Sequence, residues 1–335
     1  MPAVDGVRAR SSYAAPVPSP PLVVVPNGTL LVIGGAEDKL GPRVLLRRFV
    51  DLAGGRGARI ALVPTASSLR DEIVELYDGL FRSLGAAEVV LLRPESRSEA
   101  RSAGLARALD DVSGIFMTGG NQLKLAAVVG GTRFGEGIRS AYDRGAVVAG
   151  TSAGASIVSE HMVAFGTEGA TPKQRMSQLA AGLGLLPGVI VDQHFGQRNR
   201  YGRLLSLVAQ SPSLLGIGLD EDTGALVRGG RVLEVVGRGA VLVVDGRDVV
   251  SDAHEAKRHA PLLVSGAVVH TLPAGAVFDL AERRLLAYPG SSTGGAAVVA
   301  DGRAVSRRVA AEGAHSDAPE QARRRSTRRH QKEES

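Results

Sequence analysis

A single serine stands between two glycines in Gly150-Thr151-Ser152-Ala153-Gly154, at the end of the apolar run Val147-Val148-Ala149. Gly-x-Ser-x-Gly after a buried strand is the pattern of a nucleophile elbow, a sharp turn from strand into helix. The turn forces the serine backbone into a strained conformation, so its neighbours must lack bulk where strand and helix approach closely. The hydroxyl then stands clear of the sheet at the N-terminus of the following helix, where negative charge is favoured. The competing reading is an ordinary tight turn rich in small residues. Acyl transfer requires more: a base to take the serine's proton and a third group to orient that base.

Of the seven histidines, His315 and His330 lie in the C-terminal tail, and His254 and His259 in a charged loop. His270 alternates into a late strand, and His161 falls on the helix behind the elbow. His194 directly follows the predicted strand Gly188–Val191, at the sheet edge where Ser152 emerges, and is the candidate base. The acid lies in Asp220-Glu221-Asp222, just after the predicted strand Leu215–Leu219. Strand alternation turns Asp220 and Asp222 to one side and Glu221 to the other, which leaves the choice open. The order serine, histidine, acid differs from the Ser…Asp/Glu…His order of α/β-hydrolases. An oxyanion hole needs backbone amides. Ala153 supplies one, and Gly120 in the turn Thr118-Gly119-Gly120-Asn121-Gln122 supplies a second. These glycines, and those of Ile33-Gly34-Gly35-Ala36-Glu37-Asp38, match neither Gly-x-Gly-x-x-Gly nor the Walker pattern, which argues against nucleotide binding.

The elements that must carry these residues alternate along the chain. Apolar, β-branched runs give strands at Leu22–Val25, Leu30–Ile33, Arg59–Val63, Val89–Leu92 and Gly114–Met117. Between them, helical spacing covers Pro42–Leu52, Asp71–Leu84, Glu99–Leu109 and Gln122–Val129. Strands that are continuous apolar runs, separated by helices, predict an α/β fold with a mostly parallel sheet covered on both faces. Ligands bind beyond the carboxyl ends of such strands, where the candidate residues stand. After a helix from Asn199 to Ala209 and the strand Leu215–Leu219, the pattern becomes hairpin-like. Ala225–Arg228, Val232–Val236, Ala240–Val244, Ala267–Leu272 and Val277–Leu280 add antiparallel strands, the first two joined by Gly229-Gly230.

The chain has 335 residues and no cysteine, which excludes disulfides, a thiol nucleophile and thiolate metal ligation. The formal charge of +6 divides into +1 from residues 1–21, +2 from 22–300 and +3 from 301–335. The body is therefore nearly neutral, unlike a nucleic-acid binder with a basic face. Residues 1–21 are expected to be a disordered leader and 301–335 a disordered charged tail, around one domain spanning 22–300. The sequence carries no secretory signal pattern and no apolar run of the ~20 residues needed to span a bilayer. A cytoplasmic protein without membrane or nucleic-acid partners is expected.

With these pieces assembled, the chain resembles the cyanophycinase family of serine peptidases, which also holds the aspartyl dipeptidase called peptidase E. The resemblance runs through Ile33–Lys39, Phe116–Gln122, Gly150–Ala155, Asp192–Arg203 and Gly216–Thr223, and spans roughly residues 28–285. It implies a three-layer fold like the class I glutamine amidotransferases, with serine where those carry cysteine. It implies a catalytic triad of Ser152, His194 and Glu221, with no metal or cofactor, and a homodimer. The implied substrate is cyanophycin, polyaspartate with arginine on each β-carboxyl, cut from a chain end into β-Asp-Arg dipeptides. Arg198, Arg200 and Arg203 are suited to hold its carboxylates bidentately. Asp192 and Gln193, with Asn121 and Gln122, are suited to its arginine or backbone amides. Asn121 stands where an acidic residue is often expected in this turn. The alternatives are an aspartyl or isoaspartyl dipeptidase of the same family and a binding homologue that has lost turnover.

Overall fold

The computed structural model describes residues 28–289. The predicted strand Leu22–Val25 and both predicted tails lie outside them. In chain order the first half comprises β1 (Thr29–Ile33), α1 (Val44–Leu52), β2 (Arg59–Val63), α2 (Arg70–Ser83), β3 (Glu88–Leu91), α3 (Arg97–Ala100), α4 (Ala103–Arg107), β4 (Gly114–Met117), α5 (Gln122–Val129), α6 (Arg133–Asp143) and β5 (Val147–Thr151). The second half comprises α7 (Ala153–Ser156), β6 (His161–Gly166), β7 (Ser177–Ala181), β8 (Val189–Asp192), α8 (Tyr201–Gln210), β9 (Leu215–Leu219), β10 (Thr223–Arg228), β11 (Val232–Gly237), β12 (Ala240–Asp245), β13 (Val250–Ser251), β14 (Val264–Ser265), β15 (Val268–Pro273), β16 (Val277–Asp279) and β17 (Arg284–Ala287).

Nine strands form one sheet in the order β17-β16-β11-β10-β1-β5-β4-β2-β3. The five from β1 to β3 run parallel, and β10, β11, β16 and β17 continue the sheet antiparallel from the edge of β1. Alternation along each parallel strand divides its apolar residues between two faces. Leu31, Ile33, Ile60, Leu62, Phe116 and Ala149 pack with Leu45, Leu46 and Phe49 of α1 and Tyr77, Leu80 and Phe81 of α2. Leu30, Val32, Ala61, Val63, Ile115, Met117 and Val148 pack on the other side with Leu125 and Val129 of α5 and with α6. Both faces are covered, as the uninterrupted apolar strands predict.

The second face also receives a separate four-stranded sheet, ordered β15-β12-β9-β8. Val189, Val191, Leu215, Ile217, Leu219, Val241 and Val243 join the same core cluster as the face of the large sheet. Ile190 and Val244, on the reverse of the small sheet, pack under Leu204, Leu207 and Val208 of α8. The hairpin-like final third therefore splits between two sheets, with β10, β11, β16 and β17 in one and β12 and β15 in the other.

Several local expectations are corrected. Helix α6 was unmarked in the periodicity, because Gly130-Gly131 before it and Gly135 and Gly137 within it read as loop. Its Thr132 accepts the Gly135 amide as an N-cap, and Phe134, Ile138, Ala141 and Tyr142 are its buried stripe. The predicted helix Glu99–Leu109 is two short helices parted at Arg101-Ser102. His161 is not on a helix: α7 lasts one turn, and His161 opens β6 with its side chain exposed. The ribbons β6–β7 and β13–β14 were also unmarked.

Candidate active site

The elbow is built from close approaches. A Cβ on Gly150 would fall 2.1 Å from the carbonyl oxygen of Gly154, and one on Gly154 would fall 2.2 Å from that of Met117. Both glycines are therefore set by backbone contact between β5, α7 and β4. Between them Ser152 adopts φ 52°, ψ −107°, a conformation that a non-glycine residue holds only when its surroundings over-determine it. The surroundings are bonds at both ends. The Ser152 amide donates to the Ile33 carbonyl at 3.0 Å, and the Ser152 carbonyl accepts from Ala155 and Ser156 at 3.0 and 3.1 Å.

His194 follows β8 at φ 47°, and its amide donates to the Gly34 carbonyl at 2.7 Å. Its Nε2 lies 3.0 Å from Ser152 Oγ and its Nδ1 2.6 Å from Glu221 Oε1. The candidate nucleophile, base and acid thus form one hydrogen-bonded line. Burial lowers the His194 pKa below its ordinary 6.5; the Glu221 carboxylate opposes the shift, and the positive charges of Arg198 and Arg200 add to it. The net shift favours the neutral imidazole, the form able to accept a proton from serine.

The acidic turn resolves into three separate jobs. Asp220 accepts from the Gly196 amide at 3.0 Å and from Ala240 at 3.2 Å. Asp222, at φ 49°, accepts from the Asp38 amide at 2.9 Å. Glu221 alone meets the histidine, while its own amide donates to Gln197 Oε1 at 2.9 Å. Gln197 was not singled out from the sequence. The available signal was its place between His194 and the arginines of the Asp192–Arg203 block.

Around this line the other candidates divide. The Thr118–Gln122 turn lies against the nucleophile: a Cβ on Gly119 would be 3.2 Å from Ser152 Cβ, and Gly120 takes φ 137°. Ala153 is the first residue of α7, a position whose amide has no partner within the helix. Asn121 caps α5 by accepting the Lys124 amide at 3.1 Å, as an aspartate would. Gln122 Nε2 donates to the Ala164 carbonyl at 2.9 Å, tying β6 to this turn.

Asp192 is fully buried, gripped by Arg203 through two parallel contacts, of which Nε to Oδ2 is 2.6 Å. Arg200 Nη1 reaches Asp192 Oδ1 at 3.4 Å and Gln193 Oε1 at 3.1 Å, and also donates to the Gln193 carbonyl. Arg200 and Arg203 lie inside the fold, with only 6% and 3% of them exposed. Burial brings Arg200 down to about 10, against the opposing charge of Asp192. Its Nε is buried without a partner among the described residues. Arg198 is exposed on the rim. The block therefore provides a buried Asp192 paired with both Arg203 and Arg200, the latter keeping an unused donor, and one exposed guanidinium, Arg198, near the base.

A strained serine, a neutral histidine and a carboxylate in line, at the carboxyl end of a parallel sheet, define an α/β serine-type hydrolase. The pattern of Peptidase family S51 matches residues 30–235, and the chain belongs to that family. It is 42% identical over 259 residues to a cyanophycinase of Trichormus variabilis, covering 77% of this chain and 87% of that protein. A cyanophycinase of Synechococcus elongatus is 40% identical, with 76% and 80% covered. One from Geminocystis herdmanii is 39% identical, with 74% and 92% covered. The crystal structure of a peptidase from an acI-B1 Actinobacterium aligns with TM-score 0.54 over 74% of this chain and 98% of its own. At 24% identity that likeness bears on the fold.

Proposed function

We propose that this serine-type peptidase hydrolyses cyanophycin to β-Asp-Arg dipeptides through an acyl-enzyme. The observation that carries the reading is the Ser152–His194–Glu221 line in a chain 42% identical to a cyanophycinase over 77% of its length. Ser152 Oγ attacks the scissile carbonyl as His194 Nε2 takes its proton, and Glu221 keeps the other ring nitrogen protonated and oriented. The tetrahedral oxyanion is received by the amides of Ala153 and Gly120. His194 returns the proton to the leaving amine. Water, activated by the same base, then releases the acyl group.

Arg198, exposed beside the base, is the guanidinium suited to substrate carboxylates, and Arg200, buried behind it, adds positive charge from within. Asp192, paired with Arg203 and Arg200, supports this region from within the fold, and Gln193, Asn121 and Gln122 are the further polar groups assigned to the substrate. The reading includes a single domain over residues 22–300 and a cytoplasmic location, both read from the sequence pattern, and a homodimer, which the family resemblance implies. No helix among the described residues is long and apolar enough to cross a membrane.

The test is product analysis by mass spectrometry on purified cyanophycin, with free aspartyl and isoaspartyl dipeptides in parallel. The wild type should release β-Asp-Arg, and Ser152→Ala should release none while melting like the wild type. Turnover of the dipeptides alone would move the assignment to a dipeptidase. Failure of an active-site phosphonate to label Ser152 would leave only a binding protein.

A further inference from the structure

The loop after β1 carries a buried carboxylate that the mechanism above does not use. Glu37 is 3% exposed. Its Oε2 accepts from Thr151 Oγ1 at 2.5 Å, and its Oε1 accepts from the hydroxyl of Tyr77 on α2. Lys39 Nζ completes the set, 3.0 Å from Oε1 and 5.6 Å above the Tyr77 ring centroid. The Tyr77 ring is itself fixed against Phe116 and Phe81, with centroids 4.9 and 5.8 Å away. A buried carboxylate that is fully partnered is a rigid joint, whereas one deprived of a donor is costly.

What this joint holds is the residue before the nucleophile. Thr151 is the last residue of β5, and the strained turn begins at its carbonyl. The same loop also touches the neighbourhoods of the other two members of the line. The Gly34 carbonyl accepts the His194 amide at 2.7 Å, and the Gly35 carbonyl accepts the Asp222 amide at 2.9 Å. The Asp38 amide donates to Asp222 Oδ1 at 2.9 Å, beside Glu221. Within five residues the loop grips the nucleophile's turn, the base's backbone and the acid's turn.

We propose that Glu37 is a positioning residue for the reaction, setting Ser152 relative to His194 and Glu221 through its bond to Thr151. The loop is a template, and the Glu37–Thr151 contact is where the template meets the strained elbow. Misplacement of reacting groups by an ångström costs up to about 100-fold in rate without altering the groups themselves. A packing role alone predicts lower stability with the remaining folded enzyme fully active.

The inference rests on Ser152 being the nucleophile, so the readout is chosen to be independent of the substrate. The rate of Ser152 labelling by an active-site phosphonate is measured for the wild type, Thr151→Val, Thr151→Ser and Glu37→Gln, with kcat and KM on cyanophycin alongside. Thr151→Val, which keeps shape and removes the hydroxyl, should slow labelling and kcat by about 10-fold or more with KM little changed. Thr151→Ser, which restores the donor, should recover most of both. Glu37→Gln should fall with Thr151→Val, and the double variant should lose little more than either. Wild-type labelling by folded Thr151→Val would overturn the inference alone. An unlabelled wild type would overturn the underlying assignment of Ser152. Should Thr151→Val fail to fold, Tyr77→Phe removes a donor to Glu37 from a different element, α2. Slowed labelling by that variant supports the role, and unaltered labelling refutes it.

Discussion

The imidazole of His194 leaves no room for a side chain on Gly35: a Cβ there would lie 2.3 Å from Cε1 and 2.4 Å from Nε2. Gly35 also has φ +102°, a region that side chains disfavour. The glycine is thus a wall of the candidate active site. Gly35→Ala should push the ring off its line to Ser152 and lower kcat on the order of 10²-fold. Steady-state kinetics checks this, and a kcat equal to the wild type's would contradict it.

The acidic turn makes a contrast among neighbours. Glu221→Gln cannot hold the imidazole in the tautomer that presents a free Nε2 to serine. In a Ser–His–Asp triad the analogous acid-to-amide change costs on the order of 10⁴ in kcat. A large loss is expected here, moderated because Glu221 is partly open to water, with 35% of its side chain exposed. Asp222→Asn, which keeps an acceptor for the Asp38 amide and a residue tolerant of φ 49°, should leave kcat near wild type. Comparable losses in both variants would reassign the acid.

The pH profile follows from the charge around His194. Protonated His194 cannot take the serine's proton, so kcat/KM falls as pH drops through its pKa. Burial places that pKa below 6.5, against Glu221, and Arg198 and Arg200 reinforce the shift. The acid limb should therefore lie below 6.5. Arg198→Ala removes a cation that disfavours imidazolium, so its limb should move up in pH. Glu221→Gln removes an anion that favours imidazolium, so its limb should move down. A limb in Arg198→Ala that stays put or moves down would refute this account.

Arg203 is predicted to matter for stability more directly than for chemistry. Removing one partner of a buried ion pair strands the other, at a cost of roughly 3–5 kcal/mol. Arg200 remains 3.4 Å from Asp192, so Arg203→Met should fall at about 3 kcal/mol. Thermal melts should show Tm lowered on the order of 10 °C, and an unchanged Tm would contradict the pairing.

Legibility in the sequence tracked how local the determinant was. Strands β2, β4 and β9 and helix α5 match their predicted limits, because alternation, helical spacing and Gly/Pro punctuation lie within each segment. The elbow and the placement of His194 after a strand were equally local. The choice among Asp220, Glu221 and Asp222 was not. It depends on partners at Gly196, Ala240 and Asp38, between 20 and 184 residues away. Helix α6 was obscured by its glycines, although the spacing of Phe134, Ile138, Ala141 and Tyr142 carried its signal. The separation into two sheets was illegible for a related reason, since a strand's own pattern does not name the strand it will pair with. Glu37 stood in a quoted motif, yet its partners Tyr77 and Thr151 come from other elements.

The division into two sheets has one more consequence. Ser152 follows β5 of the nine-stranded sheet, His194 follows β8 of the four-stranded one, and Glu221 lies where the chain crosses from β9 to β10. The proposed chemistry belongs to neither layer; it lies at their seam. Sliding the layers by an ångström would break the proton path while every strand kept its ladder. Turnover is therefore a gauge of interlayer docking, and on heating it should fade before the far-ultraviolet circular dichroism signal of the strands.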